Sequence, residues 1–446
     1  MSPAPARHDL PEIAPAVQQE VARLAATAEV RAGFNWLAAH EAQFTQWQME
    51  MARIPAPPFA ESARAAWLAE RFRAIGLEDV RIDDVGNVLG VHGESIATEP
   101  RSNMGKSSAS SLVQPNAATG RGRRAVSLSA HIDTVFPANT PLNIRQNAAR
   151  LYGPGVSDNG AGVTAMLAIA SLVTALRLRH GLPLVFIGNV GEEGEGDLRG
   201  MRHIFSTPRW KDSIAYSDVL DGAGTDTIVA EALGSRRFEV IVRGPGGHSW
   251  SDFGAPNPIV ILSRAIDVFA ATPVPAAPKT TFNIGVIRGG TSVNSIPESA
   301  SMKVDIRSTS MAEMERLEQM LRLALNRAVE DETMAAELRS PTQRRPGVSC
   351  EVVAIGNRPA GELVTNARIL HVIRAVDAHL DNAAQVQRAS TDANIPMSLG
   401  LEAIAIGGGG MGGGAHTLQE WFDSNGRELG LKRILLTLLA LAGTGE

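Results

Sequence analysis

The stretch Ser129-Ala130-His131-Ile132-Asp133-Thr134 closes an apolar run that starts at residue 126, and it sets the expected fold. Residues 126–130 predict a strand whose carboxyl end carries polar side chains. An apolar helix at 162–179 and a nearly continuous apolar strand at 184–190 follow it. Such strands are typical of a buried, largely parallel sheet that is covered by helices. The sequence therefore predicts an α/β unit.

The segments on both sides extend this unit. A stretch at 95–124 that is rich in Ser, Asn, Gly and Arg predicts a mobile loop between two strands. The other elements predicted for the unit are helices at 28–54, 61–75, 196–206, 363–380 and 427–442, and strands at 80–82, 87–91, 227–231, 384–388 and 402–406.

A second unit interrupts the first. Its predicted order is β-α-β-β-α-β, the ferredoxin-like pattern. The strands are 238–242, 281–287, 301–306 and 348–355, and the helices are 258–271 and 312–330. We therefore expect a mixed, largely parallel α/β domain formed by 1–235 and 357–446, with an inserted ferredoxin-like domain at 236–356. Glycines at the two crossings, Gly234-Ser235 and Gly356-Asn357, suggest a hinge.

Composition limits the possible partners and the compartment. The chain has 446 residues, which favours at least two folding units, and a net charge of −5 with a pI near 6.1. This charge suggests neither a nucleic-acid nor a membrane partner. A single cysteine, Cys350, excludes an intrachain disulfide framework and fits a reducing compartment. With no signal-peptide pattern at Met1–Pro5, and with the late apolar run at 434–442 too short to span a bilayer, we expect a cytoplasmic protein.

Side chains of the metal-ligand type recur at predicted strand ends. They are His131, Asp158, the pair Glu192-Glu193, Asp221 and His416. Ligands of open α/β sheets gather outside the carboxyl ends of the strands, so these side chains can converge. Two histidines with several carboxylates suit one or two divalent ions, most plausibly zinc, with positions left for water. This set predicts hydrolysis by a metal-activated water.

Each member of the set also has a plainer interpretation. Asp158 alone is as well explained as a helix N-cap and Asp221 as a turn residue, whereas a glutamate pair is usually solvated charge. The combination favours a site, because caps and turns alone rarely place so many ligands at strand ends. Asp133, two residues after His131, can orient that imidazole. The glycine run 407–414 lacks the Lys-Ser/Thr of a phosphate loop, so we interpret it as backbone lying close to a ligand or to the metals.

At this point the motifs resemble a known family. They are Ser129–Thr134, Asp158-Asn159-Gly160-Ala161-Gly162, Gly191-Glu192-Glu193-Gly194, Gly246-Gly247-His248-Ser249 and Ala415-His416. Together they resemble the M20 dinuclear metallopeptidases, and Ser390-Thr391-Asp392-Ala393-Asn394 is similar to the peptidase T-like branch. The resemblance runs from about residue 30 to the end. It implies that the inserted unit is a lid and dimerisation domain.

The resemblance also implies roles, position by position. Asp158 would bridge two zinc ions, with Co²⁺ or Mn²⁺ as alternatives. His131 and Asp221 would complete one metal, and Glu193 and His416 the other. The family allows Asp or Glu at the Asp221 position, and Asp218 lies close by. Glu192 would be the general base and Asp133 the partner of His131. The substrate-binding residues would be His248, Asn294 and Arg307.

The implied reaction is cleavage of an amide or peptide bond in a small carboxylate-bearing substrate, by a homodimer formed through the lid. The substrate would be a di- or tripeptide or an N-acyl amino acid. The alternative is a deacetylase, carbamoylase or aminohydrolase with the same metals, because fold and metal centre do not fix the substrate. A metal-bound binding protein without turnover is a third hypothesis, against which Glu192 argues, since metal binding needs no base.

Overall fold

The computed structural model describes residues 12–93, 124–339 and 347–443. Within them the helices are α1 Pro15–Ala25, α2 Ala28–Ala39, α3 Glu41–Ala52, α4 Ser62–Ile75, α5 Gly160–Ala175, α6 Arg199–Ser206, α7 Pro208–Lys211, α8 Pro258–Ala270, α9 Met311–Arg339, α10 Arg368–His379, α11 Asn394–Ser398 and α12 Arg427–Ala442. None of these helices combines the length and the apolarity that a bilayer span requires.

The strands of the described residues are β1 Glu78–Ile82, β2 Val88–His92, β3 Ala125–His131, β4 Arg145–Asn147, β5 Arg150–Tyr152, β6 Leu184–Asn189, β7 Ile214–Leu220, β8 Thr227–Ala232, β9 Gly234–Arg243, β10 Gly247–His248, β11 Thr280–Gly289, β12 Ser295–Ile296, β13 Ser299–Ser308, β14 Ser349–Arg358, β15 Gly361–Glu362, β16 Gln385–Ala389, β17 Glu402–Ile406, β18 Met411–Gly413 and β19 Trp421–Asp423.

The chain divides into two compact units. The larger unit comprises Met1–Glu231 and Glu362–Glu446, and the smaller unit is Ala232–Gly361. The residues proposed above as hinges lie inside paired strands, since Ser235 of β9 is in register with Arg358 of β14 and Arg237 with Gly356. The crossings between units therefore lie a few residues outside the expected positions.

A mixed sheet forms the core of the larger unit. Its order is β1-β2-β6-β3-β7-β17-β8-β15, and β16 pairs with β8. The four central strands β6, β3, β7 and β17 are parallel, whereas β2 and β8 run antiparallel to their central neighbours. Helix α5 is buried along nearly its whole length because it is apolar on every face. This sheet confirms the predicted α/β class.

The smaller unit confirms the ferredoxin-like order. Its sheet is β11-β13-β9-β14 with every neighbour antiparallel. Alternate residues of β9 and β13 are buried against α8 and α9, including Val240 and Met302. This alternation is typical of an antiparallel sheet with one covered face.

Several features of the larger unit differ from the sequence prediction, among them the helix predicted over 28–54, which is divided into α2 and α3. Strand β7 was not predicted, although it lies at the centre of the sheet. The glycine run is not one continuous loop, because β18 lies within it and pairs with β19. Helix α10 begins at Arg368 rather than at residue 363. The predicted mobile loop lies outside the described residues, except for Arg124.

A small second sheet of the larger unit, β18-β19-β5-β4, positions His416. It pairs Gly412 with Phe422 and Phe422 with Leu151, so the connection between β18 and β19 is held against the β4–β5 hairpin. His416 lies in that connection with a φ of 63°, a left-handed conformation that is uncommon for a non-glycine residue.

Candidate metal centre

Three of the four central strands place ligand-type side chains at one edge of the large sheet. His131 is the last residue of β3, Asp221 directly follows β7, and the pair Glu192-Glu193 follows β6. Because these strands are parallel, their carboxyl ends meet at the same edge. The segment before α5 contributes the side chain of Asp158 to this edge.

Two imidazoles face opposite oxygens of one carboxylate. His131 Nε2 lies 3.2 Å from Asp158 Oδ1, and His416 Nε2 lies 3.1 Å from Asp158 Oδ2. His131 Nε2 is also 3.9 Å from Asp221 Oδ1, and His416 Nε2 is 3.0 Å from Glu193 Oε1. A carboxylate between two such groups has the arrangement that a bridging ligand needs.

The ligand atoms form three overlapping groups, each with all atoms within 4.8 Å of one another. The groups are His131–Asp158–Asp221, His131–Glu192–Glu193 and Asp158–Glu193–His416. Glu192 is thus within ligand reach as well, so distance alone does not separate its role from that of Glu193. Asp218, by contrast, is buried inside β7 and belongs to none of these groups. The geometry therefore favours Asp221.

Asp133 makes contacts beyond the one expected. Its Oδ1 accepts the backbone N–H of Glu192 at 3.0 Å, and its Oδ2 accepts that of Glu193 at 2.8 Å. His131 Nδ1 lies closer to the Asp133 backbone carbonyl, at 3.2 Å, than to the carboxylate, at 3.6 Å. Donation from Nδ1 to that carbonyl leaves Nε2 free to bind a metal. Asp133 therefore fixes the glutamate turn in addition to the imidazole.

Burial and neighbouring charges strongly shift the pKa values of the side chains in this cluster. Burial alone would lower the pKa of His131, but Asp133 and Asp158 raise it well above its usual value. Burial raises the pKa of Glu193 to about 8, and the Asp158 carboxylate raises the pKa of His416 to about 9. Burial would raise the pKa of Asp158, but the two imidazoles hold it low. Groups with strongly perturbed pKa values that meet in one place are typical of functional sites.

Access to the cluster is uneven. The side chain of His131 is 2% exposed, whereas that of His416 is 55% exposed. The cluster is therefore closed on the sheet side and open on the His416 side.

Several contributors to the site carry no local sequence signal. Asn159, rather than Asp158, caps α5: its Oδ1 accepts the backbone N–H of Gly162 at 3.1 Å and of Gly222 at 3.0 Å. Its Nδ2 donates to the carbonyl of Leu220 at 2.8 Å, so it ties the turn that carries Asp221 to the start of α5. Only the three-dimensional contacts reveal this role.

A buried polar pair lies beside the glutamates. Asn189 donates to Asp392 Oδ2 at 2.6 Å, and both residues are buried. Burial, and then the charge of Glu192, raise the pKa of Asp392 well above its usual value. The peptidase T-like motif had drawn attention to Asp392 without suggesting a contact for it.

The glycine run packs against protein. A Cβ on Gly407 would lie 2.5 Å from the carbonyl oxygen of Ala223, and one on Gly408 would lie 2.7 Å from that of Ala161. Glycine is needed at these positions because backbone segments approach each other closely. Close packing of the backbone therefore explains these two glycines, and the interpretation of the run as backbone close to a ligand or to the metals stays a prediction.

The smaller unit holds the three predicted substrate-binding residues. His248 Nδ1 accepts the backbone N–H of Trp250 at 3.2 Å, which leaves the proton of a neutral ring on Nε2. The carbonyl of Asn294 accepts the N–H of Ser249 at 2.9 Å, so Asn294, which directly precedes β12, lies close to His248 of β10. Arg307 is apart from them on β13, where its Nε donates to Asp305 at 2.7 Å.

Parts of the chain are similar to known peptidases. Residues 231–333 match the peptidase dimerisation domain model of the M20 type, and residues 113–233 match peptidase family M28. A probable carboxypeptidase from Aspergillus clavatus is 32% identical over 211 residues, which cover 43% of this chain and 46% of the relative. The chain thus spans about half the length of the curated relatives it matches.

Solved structures share the fold over nearly the whole chain. The aminopeptidase PepT from Bacillus cereus superposes with a TM-score of 0.65 at 19% identity, covering 90% of this chain and 99% of that one. A dinuclear metal-binding M20 peptidase from Bacillus subtilis has a TM-score of 0.58 at 13% identity, covering 92% and 100%.

The matched segments are of peptidase type, and the fold is shared with a solved aminopeptidase along nearly the whole chain. The resemblance seen in the sequence is confirmed: one segment matches a peptidase dimerisation domain of the M20 type, another matches peptidase family M28, and the fold is shared with solved M20 peptidases.

Proposed function

We propose that this protein is a metal-dependent hydrolase that cleaves an amide or peptide bond in a small carboxylate-bearing substrate. The observation that carries the proposal is the convergence of two histidines and four carboxylates in overlapping groups of ligand atoms. The name of the curated relatives, probable carboxypeptidase, favours a substrate with a free α-carboxylate, such as a di- or tripeptide or an N-acyl amino acid.

The residues of the cluster suit two divalent ions. His131 and Asp221 would hold one ion, Glu193 and His416 the other, and Asp158 would bridge them. Asp158 Oδ1 is buried and accepts no well-aligned hydrogen bond from the described residues, which leaves it available to a cation. Mixed nitrogen and oxygen donors without thiolates suit Zn²⁺, and Co²⁺ or Mn²⁺ as substitutes. When bound, such ions supply Lewis acidity and lower the pKa of a coordinated water.

Glu192 is proposed as the general base. Its carboxylate would accept a proton from the attacking water and return it to the leaving amine. Asp133 supports this role, because its carboxylate accepts the N–H groups of Glu192 and Glu193 and so fixes the backbone that carries both side chains.

The smaller unit is proposed to bind the substrate. The Nε2–H of His248 could donate to the scissile carbonyl and to the oxyanion that develops from it. The planar guanidinium of Arg307 suits a carboxylate, and Asn294 would add an amide contact. We propose further that the protein is a homodimer through this unit and that it acts in the cytoplasm, where a chain with one cysteine remains reduced.

Metal dependence and bond specificity test the proposal in one experiment. Chelated protein should lose hydrolysis, and Zn²⁺, Co²⁺ or Mn²⁺ should restore it. The reconstituted protein is then assayed on dipeptides, tripeptides, N-acetyl amino acids and N-carbamoyl amino acids. Full turnover by a verified metal-free preparation would refute the metal mechanism. Activity confined to N-carbamoyl or N-acetyl substrates would change the bond but leave the mechanism intact.

A further inference from the structure

A buried carboxylate outside the ligand set accepts hydrogen bonds from the backbone of the segment that carries Asp158. Glu420 is fully buried in the connection between β18 and β19, four residues after His416. Its Oε2 accepts the backbone N–H of Gly155 at 2.7 Å. Its Oε1 accepts those of Ser157 at 2.7 Å and Asp158 at 2.8 Å.

These bonds join two ligands that are far apart in sequence. His416 lies on the same connection as Glu420, and its Nε2 is 3.1 Å from Asp158 Oδ2. The Glu420 backbone carbonyl also accepts the N–H of Gly153 at 2.9 Å, so main chain and side chain both hold this segment. The distance between Asp158 and His416 is thus set through Glu420 as well as through the ligands themselves.

We propose that Glu420 is a positioning residue: it fixes Asp158 relative to His416 and thereby sets the affinity of the cluster for divalent ions. The inference rests on the proposed function. It assigns to Glu420 no contact with substrate, metal or reacting atoms.

The chemistry of the contact requires a carboxylate. Two oxygens with about four lone pairs can accept three N–H groups, whereas an amide offers one oxygen and turns two N–H donors toward the remaining donor. Glutamine at position 420 would therefore leave at least one buried backbone N–H without an acceptor. Partners of this kind, one step away from the ligands, typically change metal affinity or activity 10–100-fold when they are lost.

The test compares Glu420→Gln and Glu420→Asp with Asp423→Asn in the full-length protein. Asp423 lies three residues further on, in β19, and pairs with Arg150 at 2.8 Å, so its variant removes a nearby carboxylate charge without touching residues 155–158. Zn²⁺ affinity is measured by competition with a chromophoric chelator. Backbone amide exchange over 153–158 is measured by mass spectrometry on metal-free protein.

Both Glu420 variants should bind Zn²⁺ roughly 10–100-fold more weakly and exchange these amides faster, and Asp423→Asn should match the wild type. Unchanged affinity and unchanged exchange in a folded Glu420 variant would overturn the inference. If Glu420→Gln did not fold, Glu420→Asp, which keeps the charge but shortens the reach, would decide. Zn²⁺ binding by the wild type without hydrolysis would instead count against the proposed function and leave this test valid. If the wild type bound no ion, unchanged amide exchange would still refute the anchoring, whereas the proposed function would already have failed.

Discussion

Asp218 offers a test of the larger unit that is independent of catalysis. It lies in the middle of β7, is fully buried, and neither of its oxygens has a hydrogen-bond partner among the described residues. Burial raises its pKa from 3.8 to about 7, although the charge of Arg433 acts in the opposite direction. Arg433 is itself engaged by Asp377 through bonds of 2.6 and 2.8 Å. We predict that Asp218→Asn stabilises the protein at neutral and alkaline pH.

The magnitude follows from the two pKa values. Because the pKa is higher in the folded state, the folded protein keeps a proton that the unfolded chain loses between pH 3.8 and about 7. Stability from this group is therefore fully present below pH 3.8 and is lost as the pH rises through about 7. A difference of roughly 3 pKa units corresponds to about 4 kcal/mol. Asparagine remains neutral, so the variant should gain up to about 4 kcal/mol at pH 8, and the gain should vanish near pH 4.

Urea unfolding of both proteins between pH 4 and pH 8 measures the gain. Tryptophan fluorescence reports mainly the larger unit, because of the six tryptophans only Trp250 lies in the smaller one. Asp212→Asn, at an exposed aspartate, is the matched control and should show no pH-dependent gain. A gain for Asp218→Asn that did not change with pH would refute the reasoning. Its Zn²⁺ content should equal that of the wild type, because Asp218 lies outside the ligand groups.

Two further predictions address the cluster and the smaller unit. Glu192→Gln should retain both metals and lose about 10²- to 10⁴-fold in rate, whereas Glu193→Gln should lower metal content; metal analysis with the reverse pattern would exchange the two roles. If His248 serves the site of a second subunit, mixing inactive Glu192→Gln with inactive His248→Ala should restore up to about a quarter of the wild-type rate, as random exchange in a two-fold dimer allows. Native mass spectrometry must first show subunit exchange, and proven exchange without activity would exclude action in trans.

Hydrophobic periodicity in the sequence was sufficient to predict much of the fold. The apolar run at 184–190 corresponds closely to β6, and the predicted helix 427–442 has the bounds of α12. Strand β7 was not predicted, because Tyr216, Ser217 and Asp218 interrupt its apolar pattern. The structure accommodates them by tertiary means: Ser217 pairs with Ser127 at 3.1 Å, and burial keeps Asp218 protonated through most of the acidic range. Neither compensation can be seen from a single strand.

The candidate site, like the fold, could be predicted only in part from the sequence. Ligand-type residues at strand ends could be found from the sequence, because parallel strands must present their carboxyl ends together. The residues that hold them could not. In the sequence, Glu420 is only an acidic residue four positions after a histidine. Its structural role depends on three N–H groups that lie more than 260 residues earlier in the chain. The packing of Gly407 and Gly408 could not be predicted either, since a close approach between backbones leaves no periodic pattern in the sequence.

Asp133, Asn159 and Glu420 act as anchors: each one holds the backbone of a segment that carries a proposed metal ligand. Asp133 binds the backbone of Glu192 and Glu193, Asn159 binds the turn around Asp221, and Glu420 binds the backbone of Asp158. Each anchor holds a ligand-bearing segment through main-chain groups and so leaves the ligand's own oxygens available. A cluster held in this way is preorganised before any cation arrives, which lowers the cost of binding one. Loss of an anchor should therefore displace a ligand without removing it, and weaker metal binding in an otherwise folded protein is the expected consequence.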